Sequence, residues 1–227
     1  MRRARWAAIA LTVVLTACVR TSEGVPVAGD ATETGSPGQS STATPTDQPD
    51  ISEPGVLPTS RTPVPPDTAS CPVPNPPPVS VVASVSDPAA PKITVALPVG
   101  WGASGGDGDV GVRLEGPDGI SARVTIVATS LDAADAFRRY TDEVMAASTV
   151  SSVSVLPAEL CGYSGQKLLG AWSDSQQQAV EFGDRLAHIW TNTDSYLVAV
   201  HVEGPTSTAG FEPNASPLME DFAIDIP

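Results

Sequence analysis

Two histidines, one glycine-framed serine and a loop rich in carboxylates are the residues whose types and spacing could do chemistry in this chain. Ser104 lies in Gly102-Ala-Ser-Gly-Gly106, which satisfies G-x-S-x-G, the nucleophile-elbow pattern. An elbow needs a strand before it and a helix after it, so that the serine stands on a sharp turn. Here Gly and Asp residues follow, then an apolar strand pattern, and Ser104 is expected in a loop. Gly106-Asp-Gly-Asp-Val-Gly111 satisfies G-x-G-x-x-G, yet it runs into the same strand and carries two aspartates that would repel a pyrophosphate. Asp107, Asp109, Glu115 and Asp118 offer oxygens to Ca²⁺ without EF-hand spacing, so a solvated acidic loop is expected. His188 lies between Ala187 and Ile189, and His201 between Val200 and Val202. Both fall inside strand patterns and are expected on sheet faces rather than as general bases or metal ligands. No cofactor and no metal are expected.

The three cysteines divide by context. Arg2, Arg3 and Arg5 precede an uncharged run of ten residues, Trp6 to Leu15, and then Leu15-Thr-Ala-Cys18. A basic start, a short apolar stretch and small residues before a cleavage point make a secretory signal. Ten residues are too few for a membrane-spanning helix, which needs about 20. The Leu-Thr-Ala-Cys ending resembles the bacterial lipobox, which implies removal of residues 1–17 and a lipid such as palmitate on Cys18. Lipidation leaves Cys71 and Cys161 as a pair in an oxidising compartment. A bridge between them would close a loop of about 90 residues, worth up to ~4.5 kcal/mol by loop entropy. Two buried or reactive thiols are the alternative. Neither Cys71 nor Cys161 has a basic or histidine neighbour in sequence to lower its pKa.

Composition separates a tether from a body. Between Val19 and Pro91 there is no Phe, Trp or Tyr, while 16 of the 23 prolines lie there. Such a segment cannot bury enough apolar surface to offset the entropy of ordering it. Residues 18–78 are therefore expected to be a disordered Pro/Ser/Thr-rich tether, holding the body about 45–50 Å from its anchor as a coil and further where prolines stiffen it. Residues 79–227 are expected to form one domain.

Within the body, Ile93-Thr-Val-Ala-Leu97 alternates as a half-buried strand does. Val110 to Glu115 and Ala122 to Ala128 flank Gly116-Pro-Asp-Gly119 and read as a hairpin. Ser130 is placed to cap a helix whose apolar face is Ala134, Phe137, Tyr140 or Thr141, and Val144. Strands follow at Val150 to Leu156, Gly165 to Trp172, Ala179 to Thr191 and Tyr196 to Val202. Ser216-Pro217 should open a short helix to Asp221, and Ala223 to Ile226 a last edge segment. Runs of strands with few helices predict an α+β domain on a largely antiparallel sheet of about six strands.

Ile93-Thr-Val-Ala-Leu-Pro-Val-Gly-Trp101, Ser130-Leu-Asp-Ala-Ala-Asp-Ala-Phe137 and Ser216-Pro-Leu-Met-Glu-Asp-Phe-Ala-Ile224 resemble the strand entry, the post-hairpin helix and the closing segment of the LpqN-type lipoproteins of mycobacteria. That resemblance implies a Mog1/PsbP-like fold, a sheet flanked by helices, with no shared catalytic constellation and a binding or accessory role.

Formal charge is −14, and becomes −17 when the signal takes Arg2, Arg3 and Arg5 with it. So acidic a chain repels nucleic acid and anionic headgroups, and membrane attachment falls to the lipid on Cys18, on the extracytoplasmic side. The expected function is a lipid-anchored, non-catalytic envelope module for an apolar ligand (a lipid or glycolipid) or a partner protein, with Trp172, Trp190 and Tyr196 as its candidate binding face. Its site should be a concave patch with few polar groups and no titratable pair in mutual reach. The alternative is a hydrolase using Ser104 or a site centred on His188 or His201. A Ser–His–Asp/Glu set within hydrogen-bond reach would favour it.

Overall fold

A computed structural model describes residues 53–58, 61–66, 68–72, 77–175 and 179–227. The expected signal sequence, Cys18 and the start of the expected tether lie outside these residues. Among the described residues, eleven strands run in the order β1 (Thr68–Cys71), β2 (Ser80–Ala83), β3 (Lys92–Ala96), β4 (Gly102–Gly105), β5 (Val110–Glu115) and β6 (Ser121–Thr129), then, after the one α-helix α1 (Ala133–Ala146), β7 (Val150–Pro157), β8 (Ser164–Ser173), β9 (Ala179–Trp190), β10 (Ser195–Pro205) and β11 (Ala223–Ile226). They form two antiparallel sheets, β4-β5-β6-β10-β9-β8-β7 and β1-β11-β3-β2.

The period-two alternation of the strands decides the layering. In β10, Tyr196, Val198, Val200 and Val202 join Val124 and Ile126 of β6 in a core shared with Ile93, Val95 and Ile224 of the smaller sheet. The intervening residues face the other way, where Phe137 of α1 packs on Leu168, Leu186 and Ala199. Three layers result: small sheet, large sheet, helix.

The α+β class and the hairpin are as expected. β5 and β6 pair across Gly116–Ile120, closed by the Gly116 amide donating to the Ile120 carbonyl at 2.9 Å. Other expectations are corrected. The expected single sheet of about six strands is two sheets of eleven, because short Ser-, Gly- and Thr-rich segments pair as well as the apolar ones. Gly102–Gly105 is not a loop but edge strand β4, so the elbow geometry is absent around Ser104. The helix cap is Asp132, whose carboxylate accepts from the Asp135 amide at 2.9 Å, not Ser130. The closing helix is a single 3₁₀ turn, Pro217–Met219, capped as anticipated by Ser216. β11 is not an edge; it lies between β1 and β3.

The segment assigned to the tether contributes to the body. β1 pairs with β11, and Cys71 is bridged to Cys161 with Cα atoms 5.5 Å apart. Cys161 and Gly162 both have positive φ, as a two-residue hairpin turn requires, which presents the sulfur at the head of β8. Val64 and Asn192 exchange two hydrogen bonds, of 2.9 and 2.7 Å. Gly165 donates to the Gly55 carbonyl at 2.9 Å, and a Cβ on Gly55 would lie 1.9 Å from the Gly165 oxygen. Only a glycine admits that approach. A proline-rich stretch has no core of its own, yet its main-chain groups are satisfied at fixed points on the sheets.

Candidate functional site: a groove beside the helix

α1 forms because Ala133, Ala136 and Phe137 recur at helical spacing and Asp132 satisfies its first turn. It lies over β7, β8 and β9. The same sheet face continues past it onto β10, β6 and β5, leaving a groove in two compartments that share Tyr140 and Glu143. One, of about 350 Å³, is lined by Arg123, Tyr140, Val144, Trp172, His201 and Glu203. The other, of about 360 Å³, is lined by Thr125, Val127, Ala136 and Leu197 besides the shared pair. Each volume lies within the ordinary range of small-molecule sites.

Strand register places one line of side chains across the floor. Arg113 of β5 opposes Arg123 of β6, which opposes His201 of β10, then Asp184 of β9 and Leu168 of β8. Asp184 is fully buried. The Tyr140 hydroxyl donates to its Oδ1 at 2.8 Å, and His201 Nδ1 lies 2.7 Å from the same oxygen. His201 Nε2 faces Glu203 Oε2 at 3.2 Å. Asp184 Oδ2 has no partner among the described residues.

Burial disfavours the imidazolium of His201, but hydrogen bonds to Asp184 and Glu203 outweigh it and hold its pKa above the ordinary value. A carboxylate faces each ring nitrogen, and both favour the imidazolium. Glu203 is shifted the other way, lowered first by its bond to His201 against its own partial burial. Burial pushes the Tyr140 phenol up, and the Asp184 charge adds to that, so Tyr140 is a fixed donor. The pair Asp184–His201 contradicts the expectation of no titratable pair in reach. A buried carboxylate is tolerated here because two donors converge on it.

Ser104 shares this line, opposite Arg113 on β4, but three strand spacings, about 14 Å, separate it from His201. It cannot complete a Ser–His–Asp set. His188 sits elsewhere, its Nε2 donating to the Leu131 carbonyl at 3.1 Å. Burial lowers its pKa despite that bond, which leaves a neutral ring beside a separate cavity of about 480 Å³ lined by Arg61, Asp132 and Asp194 among others. No group of three His, Cys, Asp or Glu among the described residues could hold a metal ion.

The three aromatics do not form one face. Trp172 lines the groove. Trp190 lies about 33 Å further along β9 by strand rise, ten residues past Val180, the partner of Trp172. Tyr196 is buried between the sheets, its hydroxyl donating to Asp87 at 2.7 Å. That bond also holds the exposed Asp87 carboxyl below its usual range. Tyr140, Asp184, Arg123 and Glu203 escaped the sequence reading. The one available signal was Asp184-Arg185 inside the apolar run Phe182 to Ile189, since adjacent charges in a buried strand need partners.

No protein-family model and no curated protein matches the chain. Among solved structures it is similar to LpqN of Mycobacterium tuberculosis, described as involved in cell envelope biogenesis, at 14% identity and a TM-score of 0.49, covering 65% of this chain and 91% of that one. So loose an overlap carries no argument, and the site rests on this chain's own residues.

Proposed function

We propose that the chain is a non-catalytic binding or accessory domain, held at the outer face of the cell membrane by a lipid on Cys18, whose apolar ligand or partner segment lies in the groove beside α1. The observation that carries this reading is the groove itself. Trp172, Val144, Val127 and Leu197 give it apolar walls, and its one histidine has both nitrogens committed to carboxylates. A general base needs a free nitrogen near its operating pH, and His201 offers none while Glu203 stays in place.

The second reading, a hydrolase, keeps one supporting observation, the 2.7 Å contact of His201 with Asp184. Its nucleophile would have to be something other than Ser104. Broad esterase, glycosidase and peptidase assays on the full chain are expected to be blank, whereas a neutral alkyl detergent below its micelle concentration should change Trp172 fluorescence. Turnover abolished by His201→Asn would reverse the choice.

The anchoring half of the reading rests on the Leu-Thr-Ala-Cys18 motif. Among the described residues no helix is long and apolar enough to cross a membrane. Cys18→Ala is expected to move the protein from the membrane fraction to the soluble one, since acyl chains contribute about 0.8 kcal/mol per buried CH₂. A variant that still sediments with membranes after a high-salt wash refutes it.

A further inference from the structure

The side chains crossing the groove floor include one cation that no protein group bonds directly. Arg113 and Arg123 are directly opposed on one face, and His201 stands next in line. Like charges in direct opposition weaken a ladder, so each cation calls for a counter-charge. Arg113 has Asp107 at 2.8 Å. His201 has Asp184 and Glu203. On the helix side of the groove, Glu143 is taken by Arg139 at 2.8 Å. Arg123 forms no hydrogen bond and no ion pair among the described residues, though it is half-buried and lines the groove. Its guanidinium keeps five donors in a fork suited to an oxyanion.

The chain repels anions in general, at a formal charge of −14. An arginine whose guanidinium no protein group bonds, with Glu203 acting on it only through space and the exposed Asp109 lining the neighbouring compartment, is therefore a local exception. It lines the first compartment, and Thr125 and Val127 of the second follow it on the same face of β6.

We propose that the groove takes a single-chain amphiphile with an oxyanion head, the head received by Arg123 and the hydrocarbon lying along Val127, Leu197 and Ala136. This rests on the reading of the groove as an apolar binding site and adds the chemistry of the head. An uncharged ligand would leave the Arg123 guanidinium donors unbonded, whereas an oxyanion meets the donors that no protein group uses.

The test is a calorimetric titration of the full chain carrying Cys18→Ala, so that no acyl anchor competes, with dodecanoate, dodecyl phosphate and dodecyl maltoside below their micelle concentrations. The anionic probes are expected to bind at least tenfold more tightly than the neutral one, and the tighter of the two identifies the oxyanion. Arg123→Gln should remove that preference while leaving maltoside affinity within twofold, and Arg123→Lys should restore part of it. Circular dichroism and a urea midpoint matching the parent establish that the variants fold. Equal binding of all three probes overturns the proposal and leaves the apolar groove standing, as does an anion preference that survives Arg123→Gln. No binding by any probe overturns both.

Discussion

Asp184→Ala should be among the most damaging single substitutions in the body, lowering unfolding free energy by about 3–5 kcal/mol, the cost of removing one partner from a buried ion pair. The carboxylate is fully buried, and His201, with 6% of its side chain exposed, would be left facing only Glu203. Tyr140→Phe removes one hydrogen bond to the same oxygen and should cost less, about 1.5–3 kcal/mol for a bond to a charged group. Urea unfolding of both variants checks the order. If Asp184→Ala proved milder than Tyr140→Phe, the network would not be the buried ion pair described above.

The same network fixes a pH dependence. A histidine whose folded pKa is raised contributes stability that is fully present below its unfolded value, near 6.5, and lost as pH climbs through the folded value. Glu203, whose folded pKa is lowered, contributes stability present above about 4.5 and lost as pH falls through its folded value. The network therefore stabilises most between about 4.5 and 6.5. His188 has the opposite sign from His201, since its depressed pKa loses stability as pH falls below 6.5. The difference in stability between the parent and His201→Asn, followed with pH, cancels His188 and should shrink above pH 6.5. Tyr140, which faces the same ring, has its phenol pushed up by burial and does not titrate in that window.

The second large effect belongs to the bridge. Replacing Cys71 and Cys161 together by Ser should cost about 2–5 kcal/mol, with ~4.5 as the loop-entropy bound for a separation of 90 residues. The loss should be visible locally as well. β1 has four residues, and besides the bridge it is held by β11 and by the Tyr163 hydroxyl donating to Ser70 at 3.1 Å. Amide exchange should quicken in Thr68–Cys71 well before β9 or β10 responds. A double variant as stable as the parent, with β1 still protected, would make the bridge incidental.

Strands β3 and β5 to β10 were readable because each carries an apolar face at period two long enough to stand out. β1, β2 and β4 were not. Thr68-Ala-Ser-Cys71 and Gly102-Ala-Ser-Gly105 have no strand preference of their own, and they become strands because a neighbour offers a free edge. The proline-rich stretch before Cys71 misled for the same reason: composition reports whether a segment can build a core, not whether it can lie on one. The site was half legible. Trp172 and His201 stood out by type, but Tyr140, Asp184 and Arg123 come together only through strand register and helix docking, across separations such as the 44 residues from Tyr140 to Asp184.

The order in which the leading segment touches the sheets has a mechanical consequence. A pull applied ahead of residue 53 meets first the bonds that Pro54, Gly55 and Leu57 make with Gln166, Gly165 and Ser164, then the Val64–Asn192 pair, then the β1 ladder. These holds are small clusters of hydrogen bonds set one after another along the chain, so they open in sequence. At Cys71 the covalent link passes the load to the turn that heads β8, and peeling stops. Residues 53–70 are a yielding leader that can pay out about 60 Å of chain while both sheets, and the groove on the larger one, stay folded.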